Sequence, residues 1–435
     1  MSVVVVQIKD SGVITASEGG VSSPSPGFAL VGDDGVQTGT RAAAEARLDP
    51  LRITSNFWDR LDTQPPLSPE LGAYTRADLA CAHLTHLWQA HGAGDTAILA
   101  VPGFYDTQQL GLLLGIAEAA AVPVSGIVDT AVAAALHAPE GPLLHIDIGL
   151  HRSVGTALTR DGDRVRRTGV ETNQTASLLN LWEAWMRLIA ECFVGETRFD
   201  PLHQAATEQQ VFDALPGWLD DFAESEALEM KLTAGEREHR AELTRESLIR
   251  ASEKPYDVLV GLVRAHKHAG HRLTVLLSYW AARLPGLKER LAELNGIAII
   301  ALDQGAAALG ALSRSDEIIN TDGVSFVTAL TAADSTLEPD IETPEVSVAV
   351  DDAPTHVLCD NTAYAITAEP LMLGLEAVDN RRSIAVKGET SGVSRSHCSI
   401  YQLNGRVLLA DHSRYGSFVN EERVKTEASL ATGDT

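Results

Sequence analysis

Up to about position 330 the chain alternates short apolar runs with stretches whose apolar residues recur every three or four positions. Val3 to Ile8 and Val13 to Ser17 predict a hairpin around Lys9-Asp10-Ser11-Gly12, and Thr96 to Val101, Leu143 to Ile148, Thr274 to Leu277 and Ile297 to Ile300 predict buried strands. Leu110 to Ala121, Asp129 to Leu136 and Leu178 to Phe193 predict helices, the last with Leu178, Leu181, Trp182, Trp185, Leu188, Ile189 and Cys192 on one stripe. Glu208 to Lys254 reads as mostly helical, and its alternating charges at Glu236-Arg237-Glu238-His239-Arg240 read as a solvated helical face. Strands alternating with helices imply an α/β domain around a largely buried sheet.

From Thr331 to Pro354 the pattern stops. Asp334, Glu338, Asp340, Glu342, Glu345, Asp351 and Asp352 stand among three prolines with no Lys or Arg, and such a segment buries too little apolar surface to offset its ordering entropy. It reads as an extended acidic linker, residues 331–354, between a domain over 1–330 and another over 355–435. In the latter, Val357 to Cys359, Tyr364 to Ile366, Ser383 to Val386, Cys398 to Leu403 and Val407 to Ala410 read as short strands separated by turns such as Asn404-Gly405, the texture of a β-sandwich.

A length of 435 residues suits two or more domains, and a net charge of −25 argues against nucleic acid or an anionic membrane surface as the main partner. No run approaches the roughly 20 apolar residues of a membrane span, and Met1-Ser2-Val3-Val4-Val5-Val6-Gln7 lacks the basic start of a signal peptide, so a cytoplasmic protein is expected. Cys81, Cys192, Cys359 and Cys398 lack CxxC spacing and signal neither zinc nor a disulfide framework. His266-Lys267-His268 with His271 reads as a solvated helix end and not a metal site, and Thr197 to His203, with Arg198 and Asp200, as a loop fixed by a buried ion pair.

Two stretches near the end carry recognisable chemistry: Ser394-Arg395-Ser396-His397-Cys398-Ser399-Ile400 and Asp411-His412-Ser413-Arg414-Tyr415-Gly416-Ser417-Phe418-Val419-Asn420. Together they resemble the core of a forkhead-associated (FHA) domain, a sandwich whose loops bind phosphothreonine. The resemblance implies that Ser394 contacts phosphate and that His397 braces the loops. It places Ser413, Arg414, Tyr415, Gly416 and Ser417 in the second recognition loop, with Arg395 at the rim, and gives Gly374 and Asn420 structural positions. Leu375 stands where the family has a phosphate-binding Arg, leaving Arg381, Arg382, Arg395 or Arg414 to supply the cation that a dianion requires. The family's sandwich continues for two strands beyond Gly433-Asp434, so the module reads as truncated at its C-terminal strands.

The larger domain, through Ala97 to Asp106, Ile116 to Ala119, Val124 to Leu136 and Leu144-His145-Ile146-Asp147-Ile148-Gly149, resembles the actin-like fold of Hsp70 nucleotide-binding domains. That resemblance makes Asp147 and Gly149 candidate nucleotide-binding residues in a phosphate turn. Three departures accompany it: Leu150-His151-Arg152 replaces small residues and is not expected to form the usual cradle; Gln7-Ile8-Lys9 lies where Asp-x-Gly is expected, the register favoured by a turn of natural length over the alternative in which Asp10-Ser11-Gly12 supplies that pattern and shortens the hairpin; and Tyr279-Trp280 replaces a glycine pair against the nucleoside. Ala301 to Gly310 resembles the closing helix.

The expected protein is therefore a bacterial-type cytoplasmic scaffold or regulator: an actin-like domain without ATPase chemistry or cofactor, and an FHA domain that recruits a phosphothreonine-bearing or acidic partner. The acidic linker, through Thr336 or Thr343, is a conceivable internal ligand. The alternative is an active actin-like ATPase or chaperone-like protein, using ATP and Mg²⁺ and localised by its FHA domain.

Overall fold

The computed structural model describes residues 2–435 apart from 73, 92–93, 224, 268–270, 321, 345–353, 360–361, 377–381, 387–391, 404–405 and 421. The chain divides into two compact units, Met1–Glu345 and Val346–Thr435. No helix among the described residues is long and apolar enough to cross a membrane.

The larger unit is mixed α/β and uses one strand plan twice. In the first sheet Val3–Gln7 turns back antiparallel to Ile14–Ser17, which pairs with Gly20–Val21; on its other side Val3–Gln7 runs parallel to Thr96–Val101, and that strand parallel to Val124–Asp129. In the second, Gly141–Ile148 is antiparallel to Ser153–Asp161 and the latter to Arg164–Asn173, while Leu273–Leu277 and Ile297–Ala301 add on in parallel. Short strands, Phe326–Val327 in one sheet and Ala329–Thr331 and Ile341–Glu342 in the other, extend the edges. The first hairpin of each sheet thus places an equivalent loop, residues 8–13 and 149–152, at the end of the leading strand.

These strands form because their runs are apolar on both faces, as strands covered on both sides require: Thr96–Val101 is buried throughout, as is Leu273–Leu277. Helix Leu178–Thr197 buries Leu178, Leu181, Trp182, Trp185, Met186, Ile189, Ala190 and Phe193 against the second sheet's core. Helix Thr107–Ala119 starts at a capping box, with Asp106 accepting from the Gln109 N–H and the Gln109 side chain accepting in return from the Asp106 N–H.

Three expectations meet a different structure. Within Glu208 to Lys254 the helices Ala205–Asp221, Arg245–Ala251 and Glu253–His266 flank a β-hairpin, Ala227–Ala234 with Arg237–Thr244, turned at Gly235 with φ 61°. Its charged residues alternate with buried Met230, Leu232, Ala241 and Leu243, a period of two that the charge pattern masks. Within 331–354, Ile341–Glu342 joins the second sheet, and Thr343 is 7% exposed with its hydroxyl donating to Leu294 O at 2.8 Å. The boundary between units therefore falls at 345, and a kinase cannot reach Thr343 in the folded chain; Glu345, Asp351 and Asp352 lie outside the described residues. Arg198 and Asp200 are exposed, and no ion pair between them is found among the described residues.

The smaller unit has a five-stranded sheet ordered Ser383–Ala385, Leu371–Gly374, Cys398–Leu403, Arg406–Asp411, Glu427–Leu430, with two further two-stranded pairs. Ile366, Cys398, Ile400, Val407, Leu409 and Val424 make its core. Because Leu373 sits opposite Cys398 and Cys398 opposite Asp411, the segments beginning at Gly374, ending at His397 and following Asp411 emerge at the same end of the sheet.

Candidate functional site

Backbone hydrogen bonds join those three segments: the Leu375 N–H donates to Ser394 O at 3.1 Å, the His397 N–H to Leu373 O at 2.7 Å, and the His412 N–H to His397 O at 2.8 Å. Gly374 is glycine for a steric reason, since a Cβ there would lie 1.9 Å from Arg395 O. The neighbouring turn closes on itself as the His397 Nδ1 accepts from the Ser394 N–H at 3.1 Å, which fixes the neutral tautomer with Nε2 protonated. Ser394 in turn ties the two recognition loops together, its Oγ accepting from the Arg414 N–H at 3.1 Å.

The second loop is built on Asp411. Its Oδ1 accepts from the Ser413 N–H at 2.9 Å and from Ser417 Oγ at 2.8 Å, while Ser413 Oγ accepts from the Gly416 N–H at 2.7 Å. Desolvation would push the Asp411 carboxyl up, but the bonds from Ser413 and Ser417 outweigh it and bring its pKa down to about 2. Gly416 has φ 100°, and a Cβ there would meet Arg423 Nε at 2.6 Å. Asn420, at φ 49°, donates to Asp434 Oδ1 at 2.7 Å and accepts from the Thr435 N–H at 3.0 Å. Motif comparison alone gave Asp411 and Arg423 no role. The Asp-x-Ser spacing of an Asx turn is the local signal for the first; nothing in the sequence signals the second.

The rim is cationic and exposed. Arg395 is 83% exposed, 3.8 Å from Glu376, and Arg414 and Tyr415 are also exposed. Leu375 is 39% exposed and brings no donor. Arg382 is spent elsewhere, donating to Thr367 Oγ1 at 2.5 Å and to Ala365 O. Arg381 lies outside the described residues. Ser394, Ser413 and the two arginines, grouped on joined loops, form a surface that suits an oxyanion through charge-assisted bonds.

In the larger unit Asp147 lines a cleft with Gln7, Lys9, Ser11, Thr130, Ser278, Tyr279 and Trp280, and Gly149 lines an adjoining pocket that shares Lys9 and Asp147 and adds Asp10, Asp59 and Arg152. Lys9 forms an ion pair with Asp147; burial pushes the Asp147 carboxyl up, but Lys9, with smaller contributions from His145 and Ser278, outweighs it and lowers its pKa. The Leu150-His151 turn directs two backbone N–H groups inward while its bulky side chains lie aside from them, so it contacts an anion without forming the family's phosphate cradle. That anion is internal: Asp10 accepts from the Leu150 N–H at 2.8 Å and the His151 N–H at 3.1 Å. Tyr279 and Trp280 open helix Tyr279–Arg283 at the rim, with Trp280 edge-on to Trp182 at 5.9 Å. The cleft holds about 500 Å³ of empty space, part of it open to solvent. A nucleotide triphosphate with its metal does not fit this arrangement: the two N–H groups of the turn are taken by Asp10 and Asp147 is paired with Lys9.

A search among curated proteins returns no relative of this chain. Residues 379–435 match the model of the FHA domain family, a span that contains Ser394, His397, the 411–417 loop and Asn420 and begins just after Gly374 and Leu375. The C-terminal β unit thus carries an FHA domain.

Proposed function

We propose that the protein is a scaffold or regulator that recruits a phosphothreonine-bearing partner through its FHA domain. The observation that carries this reading is the bond from the Arg414 N–H to Ser394 Oγ. It holds a hydroxyl, two neighbouring loops and the exposed Arg395 and Arg414 in one small area. A dianionic phosphate is strongly solvated, and only several charged or oriented donors acting together compete with water for it. Without a cation at Leu375, Arg414 and Arg395 are the groups assigned to that task.

The test is a titration of the full chain with matched threonine and phosphothreonine peptides. Tighter binding of the phosphopeptide supports the reading, and equal affinities overturn it. Ser394→Ala or Arg414→Ala each weakens phosphopeptide binding about tenfold, the loss of one charge-assisted bond, and leaves any binding of the unmodified peptide unchanged.

For the larger unit we infer an actin-like domain that has lost nucleotide chemistry. The twice-used strand plan and the place of Asp147 and Gly149 after a leading strand support the fold; Lys9 and Asp10 in the cleft support the loss. In this reading the unit serves as a protein surface in a cytoplasmic assembly. Absence of any thermal shift with Mg²⁺ and ATP checks it; tight ATP binding favours the alternative of an active ATPase.

A further inference from the structure

The two equivalent loops, residues 8–13 and 149–152, meet across the larger unit. We propose that this junction carries its own anion: the Asp10 carboxylate sits in the backbone cradle of Leu150 and His151 and, with two flanking ion pairs, latches the cleft without nucleotide. Asp10 is only 8% exposed, and each of its oxygens is engaged, Oδ1 by Leu150 and Oδ2 by His151. The fit is close enough that a Cβ on Gly149 would lie 2.4 Å from Asp10 Oδ1. On one side of this contact Lys9 pairs with Asp147, and on the other Arg152 pairs with Asp59, which is 4% exposed. Arg152 also lies over the Phe104 ring at 4.4 Å.

The signs decide what the latch does. The first sheet's hairpin loop contributes Lys9 and Asp10 and the segment after Ile53–Thr54 contributes Asp59, and the second sheet meets them with Asp147 at the end of its leading strand and with two N–H groups and Arg152 in the following loop, so positive and negative partners alternate across the junction. Opening the cleft would leave each buried charge unpaired, which costs more than the pairs themselves contribute. An incoming phosphate would also have to displace a carboxylate that the chain itself holds beside the cradle. Gln7 Oε1, Ser11 Oγ and Thr130 Oγ1, buried in the adjoining cleft that shares Lys9 and Asp147, have no hydrogen-bond partner among the described residues, and the space there suits water bridging them.

The inference rests on the nucleotide-free reading of this cleft and is independent of phosphopeptide recognition. Calorimetric titration of the full chain with pyrophosphate and with Mg²⁺ and ATP, on wild type and Asp10→Gly, tests it. The expected result is no binding by wild type at millimolar ligand and at least a tenfold gain in pyrophosphate affinity in D10G. A folded D10G, judged by near-ultraviolet circular dichroism, that shows no gain while wild type stays silent overturns the latch alone. Wild type that binds ATP tightly overturns both the latch and the nucleotide-free reading. Should D10G not fold, amide hydrogen exchange of wild type decides: slow exchange at Leu150 and His151, unchanged by ATP, supports the latch, and fast exchange at either overturns it.

Discussion

Gly374 and Leu375 are neighbours at the end of one strand and answer to different demands. Gly374 is fixed by space, with Arg395 O where its Cβ would stand. Gly374→Ala is expected to displace the 394–395 turn, lower stability by about 1–3 kcal/mol in urea denaturation, and abolish phosphopeptide binding. Leu375 is fixed by nothing comparable, being 39% exposed and bonded through its backbone N–H to Ser394 O. Leu375→Arg is expected to add a charge-assisted bond and tighten phosphopeptide binding about tenfold in fluorescence anisotropy; an unchanged affinity would show that position 375 does not face the phosphate.

At the scale of elements, helix Arg76–His91 places a histidine in the core. His83 is fully buried, its Nδ1 accepting from Trp58 Nε1 at 3.0 Å and its Nε2 lying 2.9 Å from Ser25 Oγ. Desolvation, with a smaller contribution from His86, lowers its pKa from 6.5 to about 3; burial likewise lowers that of His145 to about 4, with Asp147 opposing the shift. Below pH 6.5 the unfolded chain takes up protons that the folded chain refuses until pH 3 to 4, so stability falls as the pH drops through that window, by about 1.4 kcal/mol per pH unit for each histidine. His83→Gln keeps an acceptor and a donor without the titration. Urea midpoints at pH 7 and pH 5 should therefore show a smaller pH-dependent loss in the variant than in wild type, and equal losses would place the titration elsewhere. The hairpin Ala227–Thr244 makes a related point about legibility. Its buried alternation is present in the sequence, but the charges between the buried positions fit a solvated helix equally well until a partner surface selects one face.

For the whole molecule, net charge and local charge act in opposite directions. The chain carries −25, but the recognition rim gathers Arg395, Arg414 and Arg423 around Ser394 and Gly416. Attraction of a phosphopeptide is therefore local, and raising salt from about 0.05 M to about 0.5 M should weaken binding severalfold as the exposed arginines are screened; salt-independent affinity would indicate docking without phosphate contact. Short-range pattern along the chain is enough for the apolar strands of both sheets, the helix stripe beginning at Leu178, the β texture after 354, and the two motifs that mark the FHA domain. The rest depends on which distant residues the fold brings together. That Thr343 is buried, that Arg382 is spent on Ala365 and Thr367, and that Asp10 fills the cradle of Leu150 and His151 depend on contacts between residues distant in the chain, 140 positions apart for Asp10 and Leu150. A residue's type records what bonds it can make, and only the folded chain brings the partner that uses them.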